Sequence, residues 1–168
     1  MANVINPFFT QRSGLKKKIK SDPQRHRVYR MERDFMGPCV EGSNKRKTLE
    51  SVLTHACRKY AVDRPSLKIV RRCDRTFGWC EDHAIYLNRD FHGNNLMTLL
   101  HELAHWIVDQ VLETDEIDSV HGGQFSAVYM HLLNAYRVMP EAGFRSLAEE
   151  WRVDIDETLL DPFKSGDC

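Results

Sequence analysis

The stretch NNLMTLLHELAHWIVDQVLE, residues 94–113, decides how this chain folds. Leu96, Leu99, Leu100, Leu103 and Ile107 recur at the spacing of one helix face. Asn94 or Asn95 offers a side-chain oxygen to cap the first turn. The pattern predicts a central helix to about Glu113 with a fixed orientation on a core. Set within it is His101-Glu102-Leu103-Ala104-His105, an HExxH sequence. Residues four apart stand one turn above each other, so both imidazoles can reach one ion at about 2.0–2.1 Å. Neutral imidazole suits zinc, which brings bound water to a pKa of about 7, and Glu102 is placed to act as general base. Chance alone gives about 0.03 such matches in a chain with this content of His and Glu.

A catalytic zinc site takes three protein ligands and keeps a fourth position open. The short metzincin spacing would need glycine at 108 and histidine at 111, and the valines at both positions exclude it. Glu113, Asp115, Glu116 and Asp118 are candidate carboxylate ligands, but they read more simply as a solvated loop. His121 is the better third ligand. It follows a loop long enough to reverse the chain, Gly122 and Gly123 let the backbone pass close to a metal, and Phe125 anchors the helix that follows.

Outward from this centre, Ser43 or Asn44 caps a helix in which Leu49, Val52, Leu53, Ala56, Cys57 and Tyr60 recur at helical spacing, with Pro65 beyond its end. Residues 67–73 read as a strand and 79–88 as a second, with the turn at 74–78. Ile85 and Leu87 share one face of that second strand, and Ala84, Tyr86 and Asn88 the other. At a sheet edge above the metal, the strand would offer backbone groups to an extended peptide. Gly122-Gly123 opens a further helix with Phe125, Val128, Leu132 and Tyr136 on its buried stripe. Pro140 starts a last one with Phe144, Leu147, Ala148 and Trp151 inward. The fold class is α+β: a small antiparallel sheet packed on the HExxH helix.

Hydrophobic residues at 42% and charged residues at 29% describe a folded globular chain. The net charge is zero but uneven: residues 1–47 carry 12 Lys+Arg against 4 Asp+Glu, 48–120 carry 8 against 12, and 121–168 carry 4 against 8. Residues 1–42 therefore read as a basic, partly disordered leader, with a short helix around 28–35. The domain carrying the HExxH helix is expected over 43–155 and an acidic tail over 156–168. Lys16, Lys17, Lys18 and Lys20 with Arg25, Arg27 and Arg30 suit non-specific phosphate contact, as with DNA. A separable leader could be deleted without loss of metal or turnover. With no signal-peptide core and no run of about 20 apolar residues, the expected location is cytoplasmic and no membrane partner is expected. Five cysteines without a CxxC pair read as reduced thiols, Cys73 and Cys80 included.

HELAH at 101–105, a spacer of fifteen residues and His-Gly-Gly-Gln-Phe at 121–125 together resemble the SprT-like zinc metallopeptidases, which include the Spartan proteases. The resemblance covers about residues 45–140. It implies a zincin-like fold, His121 as third ligand and zinc-dependent hydrolysis of peptide bonds, in some members on DNA-bound proteins. Many members carry a zinc ribbon after the core, whereas only Cys168 follows His121 here. Two other readings stay open: a nucleic-acid-associated module with a structural zinc site, and a repressor-cleaving HExxH protease with a loop carboxylate as third ligand. For stabilising the oxyanion, Tyr129, Tyr136, His92 and His131 are candidates among which nothing in the sequence chooses. His83, Trp106 and Gln110 read as structural.

Overall fold

In the computed structural model of the chain, residues 18–19, 22–36, 44–74, 76–91, 93–112, 116–117 and 119–161 are described. The elements run β1 (Lys18–Ile19), α1 (Arg25–Met31) with a π-helical turn at Glu32–Met36, α2 (Arg46–Lys59), β2 (Ser66–Val70), β3 (Gly78–Glu81), β4 (Ala84–Asn88), α3 (Leu96–Val111), β5 (Glu116–Ile117), α4 (Gly123–Ala135) and α5 (Glu141–Trp151). A 3-10 turn at Glu157–Leu160 follows. The class is α+β, as the sequence pattern predicts.

Helix α3 is the centre. Every residue from Thr98 to Val108 is buried, because α2, α4 and the sheet all pack on it. Asn95 caps it by accepting from Thr98 N at 2.8 Å. Asn44, expected to cap α2, instead accepts from Leu96 N at 2.7 Å, so it closes the first turn of α3 from 52 residues away. Helix α4 is likewise buried well beyond its predicted stripe, with Phe125 through Met130 enclosed.

The sheet differs from expectation. Its order is β2-β4-β3, with β2 parallel to β4 and β3 antiparallel to it, so it is mixed rather than antiparallel. The expected second strand is two strands, folded at Asp82-His83. Both turn residues have positive φ (46° and 57°), the hairpin geometry whose twist matches that of the flanking strands. No glycine marks this turn, so the sequence pattern misses it. Strand β4 is therefore central, and β3 is the edge beside α3. The face alternation holds in register: Leu67, Ile85 and Cys80 lie side by side, as do Lys68, Tyr86 and Trp79. The second row forms an outer ladder, with Lys68 Nζ 4.8 Å above Tyr86, Tyr86 stacked on Trp79 at 4.7 Å, and Arg72 over Trp79 at 4.7 Å.

The segments assigned to a leader and a tail are in part built into the body. Gln24 is 2% exposed. Its Nε2 donates to the His121 carbonyl and its Oε1 accepts from Asp154 N at 2.9 Å, tying the start of α1 to two distant segments. Val28 and Met31 enter the core, and Arg27 donates to the Arg152 carbonyl. At the other end Leu160 is buried against the rest of the core. The boundaries at 42 and 156 thus divide residues that the fold holds together, because apolar side chains at 28, 31 and 160 bury more surface docked than free. Residues 1–17 and 162–168 lie outside the described residues, as do Lys20 and the side chain of Lys18.

Candidate metal centre

Helix α3 presents His101 and His105 one turn apart, and the turn before α4 brings His121 to them. All three are buried, and one ring nitrogen from each lies within 4.8 Å of the others. His101 Nε2 and His105 Nε2 are 3.1 Å apart. Two nitrogens bound tetrahedrally to one zinc at about 2.0–2.1 Å are separated by about 3.3 Å, so this pair fits a shared ion. The donor set of three imidazoles, with a carboxylate on the outer nitrogen of two of them, fits a borderline cation such as zinc. The fit supports a metal site.

Those two carboxylates come from the N-terminal segment, and sequence reasoning missed both. His101 Nδ1 donates to Glu32 Oε1 at 2.6 Å, and His121 Nδ1 to Asp22 Oδ2 at 2.8 Å. Asp22 Oδ1 also accepts from His121 N at 3.2 Å and from Ser119 Oγ at 2.9 Å. Each carboxylate selects the tautomer that turns Nε2 inward. Burial alone would raise the Glu32 carboxyl, but the charge and hydrogen bond of His101 hold it below its usual range. Asp22 is likewise raised by burial and lowered further by its bonds to His121. Burial pushes the His121 imidazole down to about 4 against the opposing pull of Asp22, so it is neutral and ready to ligate. Their sequence signal was weak: two acidic residues in a basic stretch, ten apart.

Glu102 is 6% exposed. It faces β3, where a Cβ at Gly78 would come within 3.1 Å of its Cγ and 2.8 Å of Thr98 Cγ2. Cys80 Sγ donates to the Glu102 carbonyl at 3.1 Å from the same strand. Phe125 lies under the centre, stacked on His105 at 4.3 Å.

The remaining candidates disperse. Tyr129 is fully buried, its ring 5.5 Å from His101. Burial raises its phenol well above the ordinary value, with Glu32 adding to the effect. Tyr136 OH bonds to His55 and the Val52 carbonyl, and His131 to Tyr60, both between α2 and α4. Trp106 is buried and donates to the Asp63 carbonyl at 2.6 Å, a packing role. His83 stands in the hairpin turn rather than on a strand. Gly123 makes room for a neighbouring chain segment, since a Cβ there would meet Asp156 at 2.9 Å; its expected role beside a metal is replaced by this packing role. Cys73 and Cys80 are free thiols. His92, Glu113, Asp115, Asp118 and the side chain of Glu116 lie outside the described residues. Among the described residues no helix is long and apolar enough to cross a membrane.

Comparison with family models, with curated proteins and with solved structures returned no match.

Proposed function

We propose that this chain is a zinc-dependent metallopeptidase of the SprT-like kind, acting in the cytoplasm on protein or peptide substrates. The observation that carries this reading is the buried triad of His101, His105 and His121 with Glu102 beside the first ligand and acidic partners behind two of the three. His101, His105 and His121 would hold the zinc ion, which would supply an activated water and polarise the scissile carbonyl. Glu102 takes the proton from the attacking water and returns it to the leaving amine. Asp22 and Glu32 keep the ligand rings oriented while this happens. A peptide class of substrate is supported by β3. It is an edge strand whose Gly78 and Cys80 lie against Glu102, so a chain added to that edge would run past the base.

The alternative with a loop carboxylate as third ligand has less support, because His121 already completes the set. Non-specific contact with DNA phosphates through the basic N-terminal residues is part of the proposal.

The test is metal content and casein hydrolysis of purified wild type, His121→Ala and Glu102→Gln. About one zinc per chain is expected in wild type and in Glu102→Gln, and far less in His121→Ala. Hydrolysis should vanish in both variants. A wild type that binds no zinc, or a Glu102→Gln variant with undiminished turnover, would end this reading.

A further inference from the structure

Tyr29 sits on α1, in the stretch whose sequence reads only as basic. Its ring stacks on His101 at 5.6 Å with 13° between planes and meets His121 edge-on at 5.0 Å. It thus touches two of the three imidazoles. The guanidinium of Arg25, one turn earlier, lies 5.6 Å over the ring and helps hold it. Tyr129 also touches His101, but it is fully buried, whereas Tyr29 is only partly so. Tyr136 and His131 are committed to partners between α2 and α4.

From this placement we propose that Tyr29 is a catalytic residue, donating a hydrogen bond to the scissile carbonyl oxygen as negative charge develops on it. The inference rests on the hydrolytic reading above. In the step concerned, the water oxygen bonds to the carbonyl carbon, the water proton passes to Glu102, and the carbonyl π pair moves onto oxygen. The Tyr29 O–H bond stays intact and its hydrogen faces that oxygen. On collapse the pair re-forms the carbonyl, the C–N bond breaks, and the amine nitrogen takes the proton from Glu102. A donor aimed where charge appears, in a site shielded from water, contributes more than one in bulk solvent.

The experiment uses the full chain loaded with zinc. Tyr29→Phe should keep its zinc stoichiometry and unfolding midpoint. Its kcat on fluorescein-labelled casein should fall about 10²–10³-fold, with KM nearly unchanged. Affinity for a peptidyl phosphonamidate, a tetrahedral anion, should weaken at least about tenfold by calorimetry, while affinity for acetohydroxamate stays the same. Tyr29→Leu, which also removes the ring, separates hydroxyl loss from lost packing on His101: zinc loss confined to this variant marks the packing share. Unchanged or faster turnover in Tyr29→Phe overturns the assignment, the latter showing a plug. If the wild type does not cleave casein, the hydrolytic reading fails by itself. The phosphonamidate comparison then still decides Tyr29: weaker binding in Tyr29→Phe keeps the donor, and equal binding removes it.

Discussion

At the residue scale, the three imidazoles depend on what stands behind them. Glu32 and Asp22 each accept from an Nδ1, fixing ring rotation as well as tautomer. Such outer partners typically contribute 10- to 100-fold to metal affinity. Asp22→Asn and Glu32→Gln should each weaken zinc binding by about that factor without abolishing it, read by competition with a chromophoric chelator. Affinities equal to wild type in both variants would mean that packing alone orients the rings. Glu102 is packed against β3 at Gly78, where a side chain would crowd it.

At the scale of elements, β3 and α3 are pressed together at that glycine. Gly78→Val would place its Cβ 2.8 Å from Thr98, closer than real contacts allow, and 3.1 Å from Glu102, a tight contact. Overpacking of this kind costs about 1–3 kcal/mol. The expected outcome is a lowered unfolding midpoint and strongly reduced casein hydrolysis, with zinc content retained because the crowded atoms belong to Thr98, Glu102 and the Tyr86 carbonyl rather than to the histidines. A variant with wild-type stability and turnover would show that the strand moves away freely. Helix α1 is the second decisive element. It carries Tyr29 and is flanked in the chain by Asp22 and Glu32, so this segment forms one wall of the centre, and a chain lacking it loses more than a basic arm.

Across the whole molecule the metal would join three parts of the fold: α3, the turn before α4, and through the carboxylates the segment from 22 to 36. An ion bound only by the folded chain stabilises it by mass action, about 2.7 kcal/mol at a hundred times Kd. For a chain of this size that corresponds to about 5–10 °C in Tm. Calorimetric scans with zinc and with chelator should differ by that amount in wild type and hardly at all in His121→Ala. Identical scans in wild type would show that the ion is not coupled to folding.

Much of this was legible before the fold. The central helix to about Glu113, its cap at Asn94 or Asn95, the pairing of His101 with His105, the helix opening at Gly122-Gly123 and the reach of His121 all follow from periodicities and spacings within about twenty residues of each other. Local physics decides such features, because a helix places i and i+4 together whatever surrounds it. The strand pairing was not legible. Asp82 and His83 adopt positive φ without a glycine to announce it, so one expected strand became two and β3, not β4, became the edge. Nor could the sequence show that Asp22, Tyr29 and Glu32 belong to the centre. Each lies more than 65 positions from the histidine it meets, and only tertiary packing, through Gln24, Val28 and Met31, brings that segment onto the site. The sequence by itself determined the ligands the chain can offer; the tertiary structure decided what orients them, since orientation comes from contacts that no local pattern encodes.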